Sequence, residues 1–421
     1  MVSLVLPIAA LLLAVAFLLL GTGLLNTLVA VRAGLEGYSD GLIGVIMSGY
    51  FVGFFIGTFL ALPLIRRVGH IRAFALCAAL ASASALFHVL VVEPLIWGLL
   101  RIVTGVVLVI LYTIIESWLN GQTPPAQRGR VFAAYMAVNL GSLAAAQQLL
   151  RLDAPTSHTL FVLAGILTAV SLVPVAWTRI AQPKVEDAQR LGVRRMWAVA
   201  PLAVAASFLS GLAMGAFWGL GPLYAGRIGL EASGIAAFMT CAILGGALLQ
   251  VPLGRISDSY DRRWVLGVLA AAAALGALGL LVLSYAETWV IPAVAVYGGL
   301  AFAVYPVAIA HLVDHLEPAD VLSGGSSLLL LHGVGAALGP ALAGQIMSLT
   351  HAQALPVYFA LMHLLLAAYT VRSLHRHRRD ARDHAARFVP QVRTTPIAME
   401  MQAAEAYEIT EDDVSQESPR A

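Results

Sequence analysis

Four residues of one apolar run in this 421-residue chain could do chemistry together: Arg101, Gly105, Tyr112 and Glu116. They follow one another at spacings of four, seven and four, which at 3.6 residues per turn places them along one stripe of a helix. A charge inside a membrane helix costs ~2.5–3.5 kcal/mol on insertion scales, so it faces a partner or a wet cavity. The stripe is therefore expected to face a central cavity, with Glu116 a candidate carboxylate for a proton or a substrate. A second reading of Glu116 stays open: it sits at headgroup level and merely caps or solvates the helix end. Asn26, Asn139, Gln147, Trp218, Tyr305 and His332 are further candidates for the cavity wall, each with ordinary helix packing as its alternative. His311, Asp314 and His315 cluster near the end of another run, where they either sense pH or are simply solvated.

Covalent chemistry has no support. A nucleotide-binding P-loop needs a lysine after its glycine-rich turn, and the single lysine of the chain, Lys184, stands in Gln-Pro-Lys-Val. There is no His-Glu-x-x-His zinc helix and no Gly-x-Ser-x-Gly nucleophile turn. Cys77 and Cys241 both lie inside apolar runs and read as packing residues. No enzyme, cofactor, metal site or nucleic-acid partner is expected.

The elements that must position these side chains follow from composition. The chain is 60% hydrophobic and 11% charged, against roughly 25% charged for an ordinary soluble domain. Too few charges remain to coat a surface in water. A helix needs ~20 apolar residues to cross a ~30 Å hydrocarbon core, and twelve such runs occur, near 4–30, 42–65, 73–92, 95–119, 131–150, 159–177, 199–220, 235–253, 265–285, 290–310, 322–349 and 355–374. The first run is too long, and too poor in basic residues, for a secretory signal.

Orientation comes from the short breaks. The even-numbered internal breaks hold thirteen Arg and Lys residues and the odd ones three, although the break after the tenth run has none. This predicts a multi-pass plasma-membrane protein, a bacterial inner membrane being the natural setting, with both termini cytoplasmic. The charged break after the sixth run divides the chain into a six-helix unit (1–177), a cytoplasmic linker (178–196), a second six-helix unit (197–374) and a largely disordered cytoplasmic tail (375–421). An internal repeat supports the division. Arg32-Ala-Gly-Leu-Glu36 matches Arg227-Ile-Gly-Leu-Glu231 after 195 residues, and Pro125-Ala126 matches Pro318-Ala319 after 193. The basic start of the tail either touches anionic lipid or serves as a stop-transfer anchor.

Between the eighth and ninth runs stands Gly254-Arg-Ile-Ser-Asp258-Ser-Tyr-Asp-Arg262-Arg263. Here the chain resembles the major facilitator superfamily, whose loop motif runs Gly-x-x-x-Asp-Arg-x-Gly-Arg-Arg. Gly254, Asp258, Arg262 and Arg263 match, while Ser259 and Asp261 depart. The first-half counterpart, Arg66-Arg67-Val-Gly69-His-Ile-Arg72, puts arginine where the aspartate belongs. The resemblance implies that these loops gate a conformational change, and it leaves Arg66, Arg67 and Arg72 doubtful in that role. Arg101-x-x-x-Gly105 is similar to the superfamily's fourth-helix motif. The Gly333–Gly344 run is similar to an antiporter motif, but in the eleventh run instead of the fifth.

The resemblance implies an all-α membrane protein, two pseudo-symmetric six-helix bundles around a central cavity. It further implies a monomer that moves a small molecule by alternating access, proton-coupled, in a direction the sequence leaves open. A membrane sensor or scaffold that binds a ligand without transporting it is the alternative.

Overall fold

The computed structural model describes residues 2–178, 183, 191–317, 320–376 and 395. Helices form where the apolar runs predict them. The first half holds α1 (Val2–Leu35), α2 (Asp40–Val68), α3 (His70–Leu90), α4 (Pro94–Gln122), α5 (Arg128–Gln148), α6 (His158–Val170) and α7 (Leu172–Trp177). A short α8 (Val193–Val199) leads into α9 (Pro201–Arg227), α10 (Ala232–Ser259), α11 (Arg262–Leu283), α12 (Glu287–Val313), α13 (Val321–Leu349) and α14 (Ala354–Arg376). No strand occurs among the described residues.

With α6 and α7 counted as one bent span, the described residues form twelve membrane-length helices in two six-helix bundles. Eleven are long and apolar enough to cross a membrane. The exception is α5, whose 21 residues reach about 32 Å at 1.5 Å per residue. Its low apolarity has a local cause: it buries Tyr135, Asn139, Ser142 and Gln147 against its neighbours. The bend between α6 and α7 falls at Ser171, whose buried hydroxyl donates to the Thr168 carbonyl at 2.6 Å.

The two halves repeat, in a register that differs from the one the loop sequences indicate. Both α1 and α9 end in a glycine with positive φ, Gly37 (80°) and Gly229 (98°), a conformation closed to most side chains. The amides that follow, of Tyr38 and Leu230, donate back to the carbonyls of Ala33 and Ala225. These turns make Gly37 the counterpart of Gly229, where the loop sequences align Gly34 with it. The Arg32 and Arg227 match is therefore nearly one helical turn out of register, a coincidence of common residues. Pro318 and Ala319, from the other match, lie outside the described residues.

The true repeat shows in the helix crossings. A methyl group on Gly53 or Gly105, where α2 crosses α4, would lie 2.0 Å from the carbonyl oxygen of Ile102 or Tyr50. Where α10 crosses α12, Gly245 meets the Ala295 carbonyl at 2.0 Å as well, and Gly298 meets that of Ala242 at 2.5 Å. Gly245 and Gly298 answer to Gly53 and Gly105 in the register that pairs Gly37 with Gly229, to within a single position.

The expected linker is helical at its end, where α8 begins at Val193, and Arg195 pairs there with Asp320 at 2.5 Å. Arg179, Lys184 and Arg190 lie outside the described residues. So does the expected disorder of the tail, of which His375, Arg376 and Thr395 are described.

Candidate functional site

A cavity opens between the halves, with about 1120 Å³ of space unfilled by protein atoms, counting the part open to solvent. The first half contributes chiefly α2, through Tyr50, Phe51, Phe54, Phe55 and Thr58. The second half contributes Met214 and Trp218 from α9, Phe302 and Tyr305 from α12, and Ser326 and His332 from α13. Aspartate, glutamate, lysine and arginine are all missing from the described lining. The wall is aromatic, with Tyr50 set edge-on to Phe51 at 5.1 Å and Trp218 tilted against Phe302 at 5.5 Å.

Polar groups enter this wall sparingly. His332 lies 4.3 Å from the Tyr305 ring, centroid to centroid. Its Nδ1 is 3.1 Å from the Ser207 carbonyl oxygen. A carbonyl only accepts, so Nδ1 carries the proton and donates, and Nε2 is left as the acceptor. The Tyr305 hydroxyl is buried and has no hydrogen-bond partner among the described residues. The wall thus offers a hydroxyl and an imidazole acceptor side by side within an apolar box.

The end of the bundle away from the start of α1 and the end of α14 is closely packed. Here α2 and α13 approach so closely that a methyl on Gly44 would lie 2.3 Å from the Pro340 carbonyl oxygen. The amide of Ala341 donates to Ser48 Oγ at 3.1 Å. Arg227 of α9 pairs with Asp40 of α2 at 2.9 Å, and Gln148 Nε2 donates to Thr240 Oγ1 at 2.5 Å. The Gly333–Gly344 run of α13 serves this packing. Gly335 and Gly339 admit the backbone of α9, and Gly344 that of α2.

Of the candidates named from sequence, Trp218, Tyr305 and His332 line the cavity. Arg101, Tyr112, Glu116, Asn26, Asn139 and Gln147 are not among the described lining residues, where the α4 stripe was expected. The reason is the Gly53–Gly105 crossing, which turns that stripe inward, against α1, α2 and α5. Arg101 is 1% exposed; its Nη2 donates to Asn26 Oδ1 at 2.5 Å, and its guanidinium lies 4.8 Å from the centroid of the Tyr50 ring. Asn26 in turn donates to the Trp218 carbonyl at 2.9 Å, so the buried arginine supports the wall on both sides from behind. Gln147 Oε1 accepts from Thr27. Glu116 is 0% exposed and accepts from the Tyr135 hydroxyl at 2.9 Å.

At the terminal end, Arg262 is fully buried and holds Asp258 at 2.9 Å and Asp314 at 3.3 Å. Gly254 is buried on the same stretch of α10. Arg263 pairs with Asp261, whose carboxylate also caps α11 by accepting from the Arg263 amide at 2.9 Å. Asp314, grouped from sequence with His311 and His315, stands just past the end of α12 and is the partner of Arg262 at the start of α11. Arg66, Arg67 and Arg72 are exposed. Sequence reasoning also missed the α2 aromatic face and the Asp40–Arg227 pair. The first had a signal in the run Tyr50-Phe51-x-x-Phe54-Phe55; the second joins opposite halves of the chain and had none. Among the described residues no three His, Cys, Asp or Glu side chains are placed to hold a metal ion.

Comparison with known proteins accords with this architecture. The model of the Major Facilitator Superfamily matches residues 11–241 and 203–399. The MFS-type transporter YcaD of Escherichia coli K12 / DH10B is 30% identical over 345 residues, covering 81% of this chain and 89% of that protein. Among solved structures, the nucleoside transporter NupG superposes with a TM-score of 0.71 at 14% identity over 88% of this chain and 100% of its own. A bacterial homologue of the human lysosomal transporter Spinster, inward-facing and occupied, gives 0.72 at 15% identity over 89% and 98%. At such identities these structures show the fold alone. The family match and the YcaD relationship go further: the chain belongs to the major facilitator superfamily, as a multi-pass membrane transporter.

Proposed function

We propose that this chain is a secondary active transporter that moves a small, uncharged molecule with a flat aromatic part by alternating access, coupled to protons. The observation that carries this reading is the aromatic cavity between the halves, which both line and whose described lining holds no fixed charge. A buried, unpaired charge on the substrate would find no counter-charge there and would be costly to desolvate. Aromatic rings instead stack a flat apolar body, while the Tyr305 hydroxyl and His332 Nε2 fix its orientation with one donor and one acceptor.

The units 1–177 and 197–374 are the two rocking bodies, with 178–196 linking them, and a monomer surrounded by lipid suffices. The arginine bias of the loops supports cytoplasmic termini, in a bacterial inner membrane. With the far end closely packed, the cavity is then in its inward-facing state. Proton coupling is assigned to His332, the imidazole of the described lining, whose Nε2 is left as a proton acceptor.

The test is a stabilisation screen of the purified protein, since a ligand of the folded state raises apparent stability. Flux is then measured in proteoliposomes with and without an imposed pH gradient. Neutral aromatic compounds should stabilise the protein, and the pH gradient should drive their accumulation. Stabilisation by carboxylates or phosphates alone would overturn the substrate class, and binding with no flux would make the chain a sensor or scaffold.

A further inference from the structure

One glycine of α13 has no packing to account for it. At Gly335, Gly339 and Gly344 a methyl group would lie 2.4, 2.2 and 2.5 Å from a carbonyl oxygen of a neighbouring helix. A methyl group on Gly333 would meet nothing within 4 Å outside its own stretch of helix. The backbone does not call for glycine here either. Gly333 lies inside α13, and the glycines with positive φ among the described residues are Gly37, Gly69 and Gly229. Glycine is a poor helix former, second only to proline, so at this position it weakens the helix without a contact or a turn to explain it.

The surroundings of Gly333 supply the explanation. It is one of the described lining residues of the cavity, next to His332. Gly98, Gly141 and Gly279 are open in the same way, but none of them is among the described lining. The antiparallel helices α2 and α13 are set in register by Gly44 against Pro340 and Ser48 against Ala341. Gly333 is seven residues before Pro340 and eight before Ala341, which brings it level with the stretch from Phe51 to Ile56. Phe51, Phe54 and Phe55 of that stretch line the cavity. Carbon atoms make their best contacts at about 3.5–4.0 Å, so the wall at Gly333 is recessed by at least the depth of a methyl group. The floor of the recess is bare backbone, whose peptide groups are planar. In the register of the helix crossings Leu140 answers to Gly333, so the same scaffold carries a large side chain at this place in the first half.

We propose that Gly333 is a specificity-determining residue: its lack of a side chain leaves a slot for the flat aromatic body of the substrate and sets the size of the body admitted. The ring system lies between the bare backbone of α13 and the aromatic face of α2, beside the donor and acceptor at Tyr305 and His332. This rests on the reading of the cavity as the substrate site.

Three measurements on the full-length protein test it. Gly333→Ala and Gly333→Leu should melt at or above the temperature of the parent, and a lower melting temperature for Gly333→Ala would show a packed position and overturn the slot. Next, Gly333→Cys, with Cys77 and Cys241 replaced by serine, is equilibrated with benzyl and cyclohexylmethyl disulfides in excess 2-mercaptoethanol, and the adducts are counted by mass spectrometry. A slot for a flat ring should capture the benzyl group about fivefold more than the cyclohexylmethyl group; equal capture overturns the proposal. Finally, phenol, 1-naphthol and 9-phenanthrol are titrated by thermal shift. Affinity for 9-phenanthrol should fall about tenfold in Gly333→Leu, and that for phenol less than about twofold. Equal losses for all three compounds, or no loss for any, also overturn it. If none of the three stabilises the parent, the cavity reading fails, and the disulfide capture still decides whether the slot exists.

Discussion

Equivalent positions in the two halves have been put to opposite uses. In the register set by the helix crossings, Asn26 answers to Trp218, Tyr112 to Tyr305 and Asn139 to His332. The second-half members, Trp218, Tyr305 and His332, line the cavity. Their first-half counterparts are buried in the interior of their own bundle. The first half faces the cavity instead with the aromatics of α2, where the matching positions of α10 are Ala242, Ile243, Gly246 and Ala247. The terminal face is asymmetric as well. The fully buried Arg262 clamps two aspartates, while its counterpart His70 makes a 3.2 Å bond to Ser117 and lies against Trp118. One scaffold, used twice, thus divides labour: the second half supplies the imidazole of the described lining and the ionic clamp, and the first supplies the aromatic face of α2 and a buried arginine behind it.

The clamp is where this comparison breaks most easily. Arg262→Ala leaves Asp314, 5% exposed, without the cation it was buried with, which should cost roughly 3–5 kcal/mol. His70→Ala loses ring packing and its bond to Ser117, roughly 1–2 kcal/mol. Thermal unfolding in detergent should therefore separate the two variants clearly. The double variant Arg262→Met with Asp314→Leu should recover much of the loss, since it removes both charges together. Similar losses for Arg262→Ala and His70→Ala would mean that the two faces are energetically alike despite their chemistry.

The paired wall positions give the next largest effect. Trp218→Ala deletes a ring from the cavity and should weaken binding of a stabilising neutral ligand by roughly 30-fold, about 2 kcal/mol. Asn26→Ala should change that affinity by less than about threefold while lowering the melting temperature, because Arg101 loses an acceptor deep in the bundle. An affinity loss at Asn26 as large as at Trp218 would place both halves' polar residues at the substrate.

Coupling sharpens the comparison further. Transport of one proton with each substrate adds about 1.4 kcal/mol, tenfold in accumulation, per pH unit of gradient. His332→Gln should abolish that tenfold dependence while flux down the substrate gradient continues. Asn139→Ala and Glu116→Gln should retain it. If Glu116→Gln alone removed the dependence, the coupling group would lie behind the wall, in the first half.

The positions and number of the membrane helices are legible in the sequence because hydropathy is a property of each run by itself. Even α5 is legible, its length making up for its polar face. The helix carrying each candidate is equally clear. What cannot be read is which way a stripe faces. Rotation of α4 is set by Gly53 and Gly105 meeting carbonyls across the crossing with α2, a contact between runs that have all of α3 between them in the chain. Sequence alone therefore points Arg101, Tyr112 and Glu116 at the cavity, yet none of the three is among its described lining residues. Trp218, Tyr305 and His332 carry the same kind of polar signal on an apolar helix; nothing local distinguishes them. The Arg262–Asp258 half of the clamp is visible at a spacing of four, one helical turn, whereas Asp314 requires the fold.

The smallest effect lies at the far end, where the asymmetry reduces to a single ion pair. Arg227 pairs with Asp40, yet the positions that the repeat makes equivalent are Leu35 and Ala232, so no second pair answers the first. The pair is partly exposed, with side chains 39% and 13% accessible, and such pairs contribute about 0.2–1 kcal/mol. Closure of this end should therefore rest mainly on the packing of Gly44 and Gly344 between α2 and α13. A cysteine at Met214 on the cavity wall, in a background lacking Cys77 and Cys241, reports opening through labelling by a membrane-impermeant thiol reagent added from the far side. Asp40→Asn should raise that labelling about twofold, and high salt should raise it in the parent by a similar factor, because exposed charges are screened. Gly44→Ala should raise it more, as its methyl group collides with the Pro340 carbonyl. If Asp40→Asn opened this end more than Gly44→Ala, charge would be the latch, and the two halves would be held by one bond between unlike residues where backbone packing now accounts for the seal.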